Sequence, residues 1–153
     1  LLLLLLLLLL AFPATGSSAE LEPGGPARVV EVIDGDTVVL ELGLGFGLTV
    51  EKSCRLARID AAELHPSRKM PEPERTEEVR AALKARRRLT EFLRGKRLRV
   101  VVVVERDRYG RPIIELFARR KPAPSAVEGH PKPVNISDWL LKEKLAKPYK
   151  EGK

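Results

Sequence analysis

An α+β domain that is mainly β is the fold class this sequence predicts, and three observations carry it. Five short runs of β-branched and aliphatic residues, at about 28–33, 36–42, 48–59, 96–105 and 112–118, are separated by Gly, Pro and Asp clusters. Between the third and fourth runs the stretch from Thr76 to Gly95 has helical periodicity, and a second helical stretch begins at Asn135. A chain of 153 residues is long enough for one domain with a real core and too short for two.

Residues 20–27, Glu-Leu-Glu-Pro-Gly-Gly-Pro-Ala, have linker composition. From Arg28 the run Arg-Val-Val-Glu-Val-Ile gives the first strand, and after Asp34-Gly35-Asp36 the run Thr-Val-Val-Leu-Glu-Leu gives the second. Asp-Gly between two such runs signals a turn or bulge. Gly43, Gly45 and Gly47 then mark a hairpin turn. A phosphate cradle is disfavoured there, because no helix follows and no Lys-Ser/Thr pair closes the loop. The third strand spans about 48–59, and the Pro- and charge-rich residues 64–75 read as an exposed loop.

In the first helix Val79, Ala82, Leu83, Leu89, Phe92 and Leu93 form the apolar stripe. Thr76 caps the first turn, Glu77 and Glu78 suit its positive end, and Gly95 terminates it. Arg80, Lys84, Arg87, Arg88 and Arg94 lie opposite, as a solvated face. Lys96 to Glu105, with Val100 to Val104, reads as a strand buried on both sides. Asp107-Arg-Tyr-Gly-Arg111 is a turn, and Pro112 opens the fifth strand, where a missing N–H is tolerated. After a Pro-rich loop over 119–134, Asn135 starts the second helix, which runs to about Leu145 on Ile136, Trp139, Leu140, Leu141 and Leu145, with Pro148 ending it.

Lys and Arg outnumber Asp and Glu by 28 to 21, and the net charge is +7. That surplus favours polyanionic partners, nucleic acid or an acidic membrane surface, without bearing on the fold. The chain opens with ten leucines, and Ser17 and Ala19 then form a small-x-small pattern. Residues 1–19 therefore read as the end of a secretory signal, too short in apolar length to span a bilayer, and the expected location is secreted or periplasmic, or membrane-anchored if the signal is retained. Cys54 is the single cysteine. No internal disulfide can form, and a buried structural thiol is its expected role. His65 and His130 are the only histidines; His65 follows Glu63 closely enough to suggest an acid or a ligand, but it stands in a Pro-bearing loop and a solvent role is favoured, and no His or Cys cluster supports zinc.

Charge collects at three strand ends: Val-Ile-Asp-Gly-Asp-Thr-Val at 32–38, Arg-Leu-Ala-Arg-Ile-Asp-Ala-Ala-Glu at 55–63, and Asp-Arg-Tyr-Gly-Arg at 107–111. In this order and spacing the three segments resemble the staphylococcal-nuclease (thermonuclease) family, over roughly residues 28–149, with 150–153 as a tail. The resemblance implies a five-stranded OB-fold barrel with two helices. The staphylococcal enzyme continues into a third helix, which is expected to be absent from this sequence. It also implies calcium as cofactor and DNA and RNA as substrates, preferably single-stranded, cut on the 5′ side of the phosphate to leave a 3′-phosphate. A monomer without a stable protein partner is expected.

The residue roles follow from the same resemblance. Asp36 and Asp60 match the calcium carboxylates, with the backbone carbonyl of Ala61 beside them and Asp34 and Thr37 behind. Arg55 and Arg111 match the phosphate-binding arginines, Glu63 the glutamate that acts as base on water, and Tyr109 and Tyr149 the tyrosines that contact substrate. Arg58 has no catalytic counterpart, and a surface or structural role is expected for it. The chemistry suits these types: carboxylate oxygens recruit a hard cation, and guanidinium groups make planar two-point contacts to phosphate. Asp60-Ala61-Ala62-Glu63 departs from the family's usual Asp-Thr-Pro-Glu, so the turn loses a hydroxyl and a stiffening proline. Lys144 stands where the family has a glycine, and Tyr149 is one residue out of register. The alternative reading is a non-catalytic OB-fold module that binds nucleic acid or protein.

Overall fold

A computed structural model describes residues 25–104, 106–119 and 132–150. The signal stretch, most of the linker, His130 and residues 151–153 lie outside the described residues. The elements are β1 (Gly25–Val32), β2 (Thr37–Gly45), β3 (Leu48–Leu56), β4 (Ile59–Ala61), α1 (Glu74–Leu93), β5 (Arg97–Val104), β6 (Ile113–Arg119), β7 (Val134–Asn135), α2 (Ile136–Lys142) and β8 (Ala146–Pro148).

Strands β3-β2-β1-β5-β6 pair in that order, and β3 also pairs with β6, so five strands close into a mixed barrel of OB-like class. All neighbours are antiparallel except β3 and β6, which run parallel with Arg55 opposite Ile113 and Leu56 opposite Ile114. Arg55 N–H donates to the Pro112 carbonyl at 2.9 Å and Ala57 N–H to Ile114 at 2.8 Å, which ties this closing seam. Inward positions alternate along the strands: Val38 and Leu40, Cys54 and Leu56, Leu98 and Val100, Ile114 and Leu116 are all buried. Leu89 and Leu93 of α1 and Ile136 and Leu140 of α2 cap this core. Phe92 stacks on Trp139 at 4.1 Å between ring centroids, joining the two helices.

Several expectations are corrected. The linker read over 20–27 ends earlier, because β1 already begins at Gly25 and pairs with Val100. The third strand predicted to reach residue 59 breaks after Leu56, where Arg58 takes φ +67°, and Ile59–Ala61 leaves as a separate strand that pairs with β8. β5 is not buried on both sides. Leu98 and Val100 face the core, while Val102 to Val104 are exposed. α1 starts at Glu74, and Thr76 is no cap: its hydroxyl donates to Glu72 Oε2. Ala82, Ala85, Leu89 and Leu93 form the buried stripe, and Leu83 is exposed.

Asn135 does cap α2, accepting the N–H groups of Ser137 and Asp138. That helix ends at Lys142 rather than Leu145. Lys144 takes φ +56°, the left-handed region the family's glycine suits, and Leu145 N–H returns to the Leu140 carbonyl at 2.9 Å in a Schellman-type closure. Pro148 belongs to β8 instead of merely ending a helix. The Tyr149 N–H to Arg58 carbonyl bond at 2.9 Å makes alternate pairs hydrogen-bonded, so Pro148 opposite Ile59 falls where no N–H is needed. Cys54 is fully buried as expected, and burial pushes its thiol up to about 11.

A candidate phosphate site at the strand ends

Asp36 is the centre of the site, and the turn before it explains why it is rigid. Ile33 and Asp34 N–H both donate to the Thr37 carbonyl, and Asp34 Oδ1 accepts the Asp36 N–H at 3.1 Å. Gly35 lets this turn press against its neighbours. A Cβ there would stand 2.7 Å from Ala61 Cβ and 2.9 Å from Ala85 Cβ, closer than packed carbon atoms come. Gly35→Ala is therefore expected to destabilise the domain by about 1–3 kcal/mol and to push Asp36 away from β4. Urea midpoints check it, and an unchanged midpoint would mean the three elements are loosely packed.

The Asp36 carboxylate is only 5% exposed and fully engaged. Oδ1 accepts from Thr37 Oγ1 at 2.9 Å and Arg55 Nη1 at 3.2 Å. Oδ2 accepts the Ala61 N–H at 3.1 Å and lies 3.1 Å from Arg55 Nη2. Arg55 thus forks onto Asp36, and the same Nη2 reaches Asp60 Oδ1 at 3.2 Å. Asp60 is exposed, so one guanidinium bridges a buried and a solvated carboxylate. Ala61 meets Asp36 through its N–H. Its pair with Ala146 is not hydrogen-bonded, so both polar groups of Ala61 turn away from β8 and the carbonyl shares the Asp36 side.

Arg111 arrives from the other side of the seam. Its Nε and Nη2 both lie 2.9 Å from Asp107 Oδ2, and its own N–H and that of Tyr109 donate to Asp107 Oδ1. Burial raises the Asp107 pKa, but these Arg111 and Tyr109 bonds outweigh it and hold the carboxyl below its usual range. Nη1 of Arg111 reaches Thr37 Oγ1 at 3.4 Å, which links the two arginines through one hydroxyl and one carboxylate. Asp107 is a positioning residue that the sequence reading missed. An Asp four residues before an Arg across a turn was the signal available for it.

Two tyrosines face the arginines. The Arg111 guanidinium carbon lies 5.2 Å from the centre of the Tyr109 ring, and that of Arg55 lies 6.0 Å from Tyr149. Both rings are exposed. Tyr149 therefore reaches the site despite its shifted register, because β8 pairs with β4. Glu63 is not brought into the cluster: its carboxylate is exposed, and its backbone N–H donates to Glu78 Oε1 at 3.1 Å. Arg58 is structural, as expected, holding Glu115 at 2.7 Å and Asp138 at 2.8 Å. One shallow cleft, lined by Leu64, His65, Arg75 and Val79, lies against α1 and not at Asp36.

Burial pushes Asp36 up to about 6, although the Ala61 N–H and Arg55 pull the other way. Between the unfolded value of 3.8 and this folded value, the native state keeps a proton that the unfolded chain releases. Stability from this group is then greatest below pH about 4 and is lost as pH rises to about 6, by roughly 2–3 kcal/mol. Urea unfolding in chelator from pH 4 to 7 is expected to show that decline, and Asp36→Asn to flatten it. An equal slope in the variant would place the titration elsewhere.

Among the described residues no three His, Cys, Asp or Glu side chains converge as a metal cluster. Two carboxylates and the Ala61 carbonyl are nevertheless hard oxygen donors on one rim, and a buried anion that burial alone would neutralise favours a cation. Comparison of the sequence with protein-family models and with curated proteins finds no match in either.

Proposed function

We propose that the chain is a calcium-dependent nuclease that hydrolyses phosphodiester bonds of DNA and RNA, preferably single-stranded. The observation that carries this reading is the continuous Asp60–Arg55–Asp36–Thr37–Arg111 network, with contacts of 2.9 to 3.4 Å, in which Asp36 and Thr37 are buried and the two arginines and Asp60 reach solvent. Two guanidinium groups beside two carboxylates suit a dianionic transition state far better than a neutral ligand. The order of the three segments, which resembles the thermonuclease family, supports the same reading.

Asp36, Asp60 and the Ala61 carbonyl would hold the calcium, with Asp34 and Thr37 fixing Asp36 from behind. Bound calcium would polarise a phosphoryl oxygen and orient water. Arg55 and Arg111 neutralise the phosphate oxygens, and Tyr109 and Tyr149 offer ring faces to unpaired bases. Glu63, exposed three residues beyond Asp60, is assigned as the base on water. Water adds to phosphorus, the bond to the 5′-oxygen breaks, and a 3′-phosphate and a 5′-hydroxyl result. The leucine run and small-x-small pattern support action outside the cytoplasm.

Incubation of the purified chain with denatured DNA tests this. Cleavage is expected with calcium and none with chelator, and calcium should restore it. A second reading has one observation in its favour: Arg55 already neutralises both carboxylates. A non-catalytic module built that way would bind single strands in a salt-sensitive manner and cut nothing.

A further inference from the structure

The β2–β3 hairpin ends in an apolar tip that the barrel does not use. Leu44, Phe46 and Leu48 are 62%, 104% and 63% exposed, and no charged residue stands between Leu42 and Val50. Ordered pairing runs to Gly45 opposite Leu48, so these side chains sit on a tight two-residue turn. Apart from its neighbours in the chain, nothing stands within 4 Å of where a side chain on Gly45 or Gly47 would begin, so the tip projects clear of the barrel. A soluble domain with no use for it has no reason to place a phenylalanine at a fully exposed apex between two leucines.

We infer that this tip is a wedge that inserts into the surface of a lipid bilayer. Three features select that occupant. The tip is convex and narrow, whereas a helix or peptide partner needs a groove to fill. Three side chains bury well under the ~1,200 Å² that a stable protein interface needs, so a second copy of the chain is poorly served. The polypeptide that carries the ten leucines joins the barrel beside the tip: β1 starts at Gly25, and Pro26 lies against Gly43, its Cγ 3.1 Å from where a Gly43 side chain would begin. Twelve residues between Phe12 and Gly25 reach at most about 40 Å, so a membrane that holds the leucine run lies within range of the hairpin.

The register also separates the wedge from the phosphate site. Thr37 pairs with Arg55 at one end of the hairpin and Gly45 with Leu48 at the other, eight residues along β2, or about 27 Å. Insertion at the tip leaves Asp36 and the arginines in water. The net charge of +7 adds attraction to an anionic surface. The inference does not depend on the proposed reaction.

The test uses the full chain carrying Phe46→Trp, with phosphatidylcholine vesicles containing phosphatidylserine, and the unsubstituted chain supplies the Trp139 background. The expected result is a blue-shifted emission from the introduced indole, quenched by lipids brominated near the headgroup. The variant L44S/F46S/L48S, altered only at exposed positions, should lower vesicle partitioning about tenfold or more with an unchanged circular dichroism spectrum. Three outcomes would overturn the inference. One is an indole that stays unshifted and unquenched while the chain sediments with vesicles. Another is unchanged partitioning of the triple variant. The third is a lipid-free dimer that Phe46→Ser dissolves.

Discussion

Arg111→Lys is expected to slow the proposed calcium-dependent DNA cleavage about 100- to 1,000-fold while leaving the fold intact, the loss seen when one preorganised donor to a developing oxyanion is removed. The substitution keeps a positive charge. It removes the planar fork whose Nε and Nη2 meet Asp107 and whose Nη1 reaches Thr37. The turn itself should persist, since Asp107 Oδ1 still takes the N–H groups of residues 109 and 111. Single-turnover rates and a urea midpoint, measured together, separate the two effects. A rate within tenfold of the parent would remove Arg111 from the transition state, and a collapsed midpoint would make it structural. Arg55 is the less informative target, because truncating it strands the buried Asp36 charge.

For stability, the largest expected effect comes from Leu116→Ala. Leu116 is fully buried at the middle of β6 and pairs with Val100 across the barrel wall. Truncation removes the transfer free energy of the lost carbons and leaves a cavity in a closed barrel that cannot collapse easily. The expected cost is about 2–5 kcal/mol. Val103→Ala, on the same wall but exposed, should stay within about 0.5 kcal/mol. Equal costs for the two would contradict the inward alternation on which the core rests.

Asp36, Arg55, Asp60 and Arg111 were singled out by the order and spacing of three charged strand ends, which resemble the thermonuclease family; charge alone reads as a solvated rim. The barrel strands were legible for the reason that alternation is a local property. What escaped was tertiary. The β4–β8 pair is three residues on each side, too short for any period to register, yet it brings Tyr149 to Arg58 and turns Ala61 toward Asp36. The Val100–Val104 run looked doubly buried, because five valines in a row carry no period that tells an inner face from an outer one, yet Val102 to Val104 are exposed. Gly35 signalled a turn but not its close approach to Ala61 and Ala85, because close approach is defined by the partner and not by the residue. Glu63 was placed by resemblance, and the geometry leaves it outside the hydrogen-bonded network.

The parallel seam between β3 and β6 divides the network it supports. Asp36, Arg55 and Asp60 belong to the β2–β4 side, while Arg111 enters with β6, and a single 3.4 Å contact to Thr37 spans the gap. Only two residue pairs close the barrel there, against eight between β2 and β3, so this is where the wall opens most cheaply in a sub-global fluctuation. Each such opening parts the two guanidinium groups without melting the sheet. The amide protons of Arg55 and Ala57, which bridge the seam, are then expected to exchange with solvent at the frequency with which the candidate site comes apart.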